Sequence, residues 1–262
     1  MSDTVAMSKA DCRALFDQTL IEATSVEALA LDDLKRALSD VGFATVRGIA
    51  SPDEIARSRT AFRDGFTSDD HPGVGETAKD IQGNFQKLRA GISPLAPTNS
   101  RLVRTIFNPL WADDIFGLHD VFMRMIAMRN LLVGKPLTYA STSIEDGLWT
   151  AARLQHYPTG GGFMSAHVDQ VVVDAVASAG MEHVQLLLMF TRKGEDYERG
   201  GGFTVKDGQF IDVEQFCELG DIVVYDSRIL HGVDTVDPHK RLDIDTPDGR
   251  TVAFVTLYKD MA

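Results

Sequence analysis

The chain has 262 residues and a formal net charge of −12, enough length to bury a substantial core as one large domain or two small ones. So acidic a balance argues against nucleic acid as the main partner, because phosphate backbones are met by Lys and Arg. No apolar run approaches the ~18 residues that a membrane helix needs, which argues against a membrane partner.

Residues 1–25 are of mixed polarity. Leu31, Leu34, Leu38 and Val41 then mark one face of a helix, and Gly42 is placed to end it. Phe43–Arg47 reads as a strand. Ser51-Pro52-Asp53-Glu54 is a helix start, with Ser as N-cap, Pro at the first position and Glu three after the cap. That helix is expected to run to about Gly65. Residues 67–100 are rich in Asp, Gly, Pro, Ser and Asn and lack periodicity. They read either as a lid or as a plain solvated connection; Asn84, Gln86, Lys87 and Arg89 are the polar contacts of a lid. Residues 109–132 are apolar on more than one side and predict one or two helices packed against a sheet, with their methionines in the core.

From about residue 150 the period becomes strand-like. Candidate strands are 151–157, 163–167, 183–191, 202–206, 208–213, 221–226, 229–234 and 250–258, separated by glycines and acidic turns. Short strands after a helical half predict an α+β chain. The expected fold is a double-stranded β-helix (a jelly roll, cupin-like) with a helical N-terminal half packed on one sheet. The chain reads as a single domain over 1–262, with 1–149 mainly helical support and lid and 150–258 the jelly-roll core. Cys12 and Cys217 have neither metal nor redox spacing and read as two ordinary thiols of a reducing compartment. The first residues show no basic stretch followed by an apolar one, so the expected location is the cytoplasm.

The chemistry concentrates in the second half. His167 and Asp169 are two apart at the end of an extended stretch, so alternation points them to one side. With His231 they offer two imidazoles and one carboxylate, a set suited to non-haem Fe(II) that must bind a co-substrate and dioxygen together. His156 faces away from that side, and His71, His119, His183 and His239 read as ordinary surface or core residues. No His-Glu-x-x-His helix or Cys pair suggests zinc, and there is no Gly-x-Ser-x-Gly elbow or phosphate loop. Arg250 opens an apolar strand, where an inward guanidinium needs an anion to justify its desolvation. It can grip a carboxylate with two parallel hydrogen bonds. Arg241 is its rival, nearer to His231 but in a charged loop.

Together these elements resemble the 2-oxoglutarate- and Fe(II)-dependent dioxygenases, whose pattern is His-x-Asp, a long gap, His, then Arg on the following strand. Tyr157-Pro-x-Gly160 before His167-Val-Asp169, the stretch from Leu188 to Phe203, Gly220 to Tyr225 and His231-Gly-Val resemble the prolyl-hydroxylase branch. The helix–strand–helix at roughly 30–65 is similar to the phytanoyl-CoA-hydroxylase branch. The resemblance implies that His167, Asp169 and His231 hold Fe(II), that Arg250 binds the distal carboxylate of 2-oxoglutarate, and that Tyr157 hydrogen-bonds the same co-substrate. A branch tyrosine that helps the Arg falls on Met189 here, and the loop before Arg250 is longer than usual. Alternation sets Arg153 and Gln155 on the side of Tyr157; Gln155 reads either as a co-substrate contact or as a polar packing residue, and Arg153 either as a contact to an acidic group of the substrate or, again, as packing. Arg228, just before His231, is a further candidate substrate contact.

The implied reaction consumes 2-oxoglutarate and O2, releases succinate and CO2, and hydroxylates an unactivated C–H bond of a small polar metabolite. Asp169 argues against halogenation, since related halogenases lack that carboxylate; desaturation and cyclisation stay open. The alternatives are a peptidyl (prolyl-type) hydroxylase acting on a protein and, from another class, a non-catalytic jelly-roll binding module. Oligomeric state is not legible in the sequence.

Overall fold

The computed structural model of the chain describes residues 4–71, 83–89 and 100–260. The elements run in order β1 (Val5–Ala6), α1 (Lys9–Thr19), β2 (Leu20–Glu22), α2 (Leu31–Asp40), β3 (Phe43–Arg47), α3 (Pro52–Asp64), β4 (Phe85–Arg89), β5 (Ser100–Arg101), β6 (Val103–Phe107), α4 (His119–Leu132), β7 (Leu148–Pro158), β8 (Phe163–His167), α5 (Gln170–Ala177), β9 (Val184–Met189), β10 (Gly201–Lys206), β11 (Gln209–Asp212), β12 (Ile222–Asp226), β13 (Leu230–Asp234) and β14 (Gly249–Lys259).

Two sheets hold them. One is ordered β1-β11-β10-β13-β8-β5, the other β2-β3-β12-β9-β14-β7-β6-β4. Between them lies an apolar cluster to which both contribute: Ile211 from the first; Leu187, Met189, Val223, Val252 and Phe254 from the second. A larger cluster covers the other face of the second sheet. There Leu34 of α2, Ile55 and Phe62 of α3, and Phe122, Met125 and Ile126 of α4 meet Ala152, Leu154, Leu186, Leu188, Ile222, Val224, Ala253 and Val255. Alternation along each strand sends one set of side chains to the helices and the other to the inter-sheet space, so β7, β9, β12 and β14 are buried on both sides.

The local signals behave as their chemistry requires. Ser51 accepts from Glu54 N (3.2 Å) and Glu54 accepts from Ser51 N (2.9 Å), closing the capping box around Pro52. Gly42, at φ +93°, turns the chain out of α2 by donating to Ala37 and Leu38 carbonyls. Cys12 and Cys217 are both free and buried.

The N-terminal half differs from the mainly helical support that its sequence suggests. Six of its short segments, β1 to β6, join the two sheets. β6 pairs with β7 through Arg104↔His156 to Phe107↔Arg153, and β4 extends the edge beyond it. The segment read as a possible lid therefore contains an edge strand, while 72–82 and 90–99 lie outside the described residues. Within 109–132 only His119–Leu132 is helical. Asp114 accepts from Leu118 N (2.9 Å) and His119 N (3.0 Å), and Asn108 donates to the Asp113 carbonyl (2.9 Å), which ties residues 108–118 into turns. α5 is an addition: Val176 is fully buried against Tyr139, Leu148 and Leu257. No helix among the described residues is long and apolar enough to cross a membrane.

Candidate metal centre and its cavity

β8 and β13 are antiparallel neighbours with His167 directly opposite His231, so the two imidazoles leave the sheet on one side, ring centroids 4.4 Å apart. Asp169 follows β8 at the residue before α5, where the chain turns and aims its carboxylate back between them. The distances are 3.4 Å from His167 Nε2 to Oδ1 and 3.5 Å from His231 Nε2 to Oδ2. One ligand atom from each residue lies within 4.8 Å of the others. Carbonyls fix both tautomers, since a carbonyl can only accept: His167 Nδ1 donates to Ser165 O (2.8 Å) and His231 Nδ1 to Ile229 O (2.9 Å). In the neutral ring each Nε2 therefore presents its lone pair to the shared space, as a metal ligand must. Burial alone would raise the Asp169 pKa, but where the rings carry a proton on Nε2 as well, hydrogen bonds and charge from His167 and His231 outweigh burial and hold the carboxyl well below the usual range. The Tyr225 ring packs on His231 at 4.6 Å.

The triad lines a cavity of about 250 Å³ between the sheets. Apolar walls come from Leu187, Phe203, Val213, Val223, Val233 and Phe254; polar groups come from Arg153, Gln155, Tyr157, Gln185, Glu214, Arg250 and Thr256. Arg250 is 1 % exposed. Its Nε donates to both oxygens of Glu214 (3.0 and 2.9 Å) and its Nη2 makes a further short contact, while its guanidinium lies 5.1 Å from the Tyr157 ring centre. Nη1 is buried with no hydrogen-bond partner among the described residues. Burial works to lower the Arg250 pKa and to raise that of Glu214; each partner's charge overturns the effect on the other, so the pair stays ionised. Tyr197 donates a short hydrogen bond to Glu214. The Tyr157 hydroxyl donates to Gln155 Oε1 (3.2 Å), and burial pushes its pKa up to about 12, so it stays a donor.

The structure thus brings together His167, Asp169, His231, Arg250, Tyr157, Gln155 and Arg153 around one space. It does not bring Arg228 there. Arg228 is bound to Asp226 through Nη2 (2.6 Å) and its side chain is 61 % exposed, because a carboxylate two residues back captures it first. Arg241 is exposed and lies outside the cavity lining. Asn84, Gln86 and Arg89 also face elsewhere. Asn84 donates to Asp113 O, Gln86 to Thr67 O and Arg89 to Ser100 Oγ, each at 3.0 Å, and these bonds pin the edge strand. Lys87 lies over the Phe85 ring. His156 is turned to the helix side, bonded to Thr251 and Thr246. Sequence reasoning missed Glu214, Tyr197 and Gln185. The one trace of Glu214 is the glycine pair opposite it: a Cβ on Gly202 would stand 2.5 Å from Glu214 Oε1, and one on Gly201 2.7 Å from Oε2.

Neither a protein-family model nor a curated protein sequence matches the chain. Solved structures do match. An oxidoreductase of the 2OG-Fe(II) oxygenase family from Burkholderia pseudomallei superposes with a TM-score of 0.51 over 92 % of this chain and 96 % of its own, at 11 % identity. The fold is that of the 2-oxoglutarate/Fe(II) oxygenases. Two more structures agree with this oxygenase fold. The non-haem α-ketoglutarate-dependent epimerase SnoN of nogalamycin biosynthesis gives a TM-score of 0.52 at 12 % identity, covering 88 % of this chain and 83 % of its own. A Trichoplax adhaerens prolyl hydroxylase, solved with a hypoxia-inducible-factor peptide, gives 0.51 at 11 % identity over 97 % and 94 %.

Proposed function

We propose that the chain is an Fe(II)- and 2-oxoglutarate-dependent oxygenase that hydroxylates a C–H bond of a small polar metabolite on a double-stranded β-helix. The observation that carries this is the convergence, in one inter-sheet cavity, of a two-His, one-carboxylate face and a buried arginine with an unpartnered Nη1. The donor set fits iron: both Nε2 atoms and the carboxylate converge on one side, leaving positions for co-substrate and dioxygen. The cavity also fits a 2-oxo acid, because an orphaned guanidinium nitrogen in a desolvated wall demands an acceptor.

His167, Asp169 and His231 would hold the metal. Arg250 Nη1 would take the distal carboxylate of 2-oxoglutarate, with Tyr157 and Gln155 beside it. When bound, iron and 2-oxoglutarate supply the oxidation: one atom of O2 ends in succinate, the other in the hydroxylated product, and CO2 leaves. The protein's own part is placement and dryness. Ser165 and Ile229 carbonyls hold the imidazoles in register, Glu214 clamps Arg250, and the apolar walls exclude bulk water. The alternative of a peptidyl hydroxylase shares this machinery and is similar in fold to the peptide-bound prolyl hydroxylase. The buried Arg153 inside the cavity favours a small substrate over a chain laid across the surface.

The test is succinate formation. In air, protein with Fe(II) and 2-oxoglutarate should release succinate, and Arg250→Gln should need at least about tenfold more 2-oxoglutarate, the loss expected for one charge-assisted hydrogen bond. No succinate from wild type in the presence of candidate substrates overturns the reading.

A further inference from the structure

The cavity contains two arginines, and only one is neutralised. Arg250 has Glu214. Arg153 is 3 % exposed and forms no ion pair among the described residues. Its Nη1 donates to Ala151 O (3.0 Å), its Nε is buried with no hydrogen-bond partner among the described residues, and its guanidinium lies 4.9 Å from the Phe254 ring centre and 5.0 Å from that of Tyr258. The remaining acidic side chain of the lining, Asp169, is committed to the histidines. A guanidinium withdrawn from water without a counter-charge costs several kcal/mol, and cation–π contacts return only part of it. The carbonyl of Ala151 and two rings hold the guanidinium in place, yet they leave its charge unmatched.

The register separates the two arginines. Tyr157 is opposite Arg250 and Phe254 is opposite Arg153. Four residues of extended chain put the two sites roughly 13 Å apart along the strand pair. Beside Arg153 stand two amides with their oxygens already used: Gln185 Oε1 accepts from Thr256 Oγ1 (2.9 Å) and Gln155 Oε1 accepts from Tyr157. Their NH2 groups are left as donors, so this part of the cavity offers donors and a positive charge. One guanidinium balances one negative charge, which suits a monocarboxylate better than a doubly charged phosphate.

We propose that Arg153, flanked by Gln155 and Gln185, is the binding site for the carboxylate of the organic substrate, so that the molecule oxidised is a small carboxylic acid. The assignment deepens the oxygenase reading and rests on it for the word substrate; the anion site itself does not need iron.

The probes are butyrate and hexanoate, with butyramide and hexanamide as their uncharged counterparts, followed by ligand-observed NMR on metal-free protein. Wild type should bind the acids at least about thirtyfold better than the amides, the ratio that corresponds to about 2 kcal/mol for a buried charge pair. Arg153→Gln should lose that preference, Arg153→Lys should recover part of it, and Arg228→Gln, whose side chain lies outside the cavity, should retain it. A titration of Fe(II) protein with 2-oxoglutarate, run without oxygen, separates the two sources of carboxylate. If Arg153→Gln weakens 2-oxoglutarate while leaving hexanoate binding intact, the anion belongs to the co-substrate and the proposal fails. Equal binding of acids and amides by wild type, or an unchanged preference in a folded Arg153→Gln, also overturns it. Failure of the oxygenase reading looks different: no 2-oxoglutarate complex forms in any variant, whatever the acids do.

Discussion

Replacing Glu214 by Gln leaves Arg250 a buried cation with no opposite charge beside it. In the native chain that carboxylate meets Nε and Nη2 of Arg250 and accepts from Tyr197, all of them buried. Removing one partner of such a pair costs about 3–5 kcal/mol, and Gln, which keeps the volume and one acceptor, belongs near the lower figure. At about 2.1 cal/mol/K per residue, unfolding 262 residues carries roughly 0.55 kcal/mol/K, so a loss of about 3 kcal/mol lowers Tm by roughly 5 °C. The ligand response should move the opposite way. With Glu214 gone, the distal carboxylate of 2-oxoglutarate is the sole neutraliser of Arg250, so the co-substrate should raise Tm more in the variant than in wild type. Calorimetry with Zn(II), which has no redox chemistry, reads both quantities without turnover. A Glu214→Gln protein as stable as wild type, or one that responds less to 2-oxoglutarate, would refute the role given to this pair.

The remaining predictions concern backbone space and pH. Gly202→Ala keeps both charges but should push the Arg250 guanidinium out of place, since its Cβ would lie 2.5 Å from Glu214 Oε1 and 3.2 Å from Arg250 Nη2; unlike in Glu214→Gln, 2-oxoglutarate affinity should fall, at least about tenfold. Gly208→Ala, in open space at φ +75°, should cost about 1 kcal/mol of stability and leave that affinity unchanged, as isothermal titration would show. Burial lowers the His156 pKa to about 4, with the Thr246 carbonyl opposing it. The folded protein therefore holds this ring neutral while the unfolded chain protonates it near pH 6.5. The resulting stability, up to about 3 kcal/mol, is complete above pH 6.5 and is lost as pH falls towards 4. Urea unfolding across that window should show a shallower pH slope in His156→Gln than in wild type.

What the sequence made legible was local. His167-x-Asp169 could be read because two residues of strand bring side chains to one face, and the strands behind it, 151–157 and 250–258, matched their observed spans within a few residues, the second as a long apolar run and the first as extended chain closed by Pro158 and the glycines after it. The sheet edge was not legible: Phe85–Arg89 and Val103–Phe107 mix charges with apolar residues; the second is a strand by virtue of β7, some fifty residues later in the chain, and the first by virtue of the second. α5 was hidden because its valines favour extended structure, and tertiary packing of Val176 decides for the helix. Glu214 and Arg250 come from opposite sides of the inter-sheet cavity with no periodicity to relate them. Arg228 failed for the reverse reason: proximity in sequence to His231 counted for less than an aspartate two residues away.

An oxygenase of this kind requires the metal and the co-substrate to share one site. The decisive measurement is the visible charge-transfer absorption of 2-oxoglutarate chelated to Fe(II), recorded without oxygen for wild type, His167→Ala, His231→Ala and Arg228→Ala. The band should appear in wild type and in Arg228→Ala, whose side chain lies outside the cavity, and be absent from both histidine variants. A wild-type protein with no band, or a band that survives His231→Ala, would contradict the assignment of His167, Asp169 and His231 as the metal face.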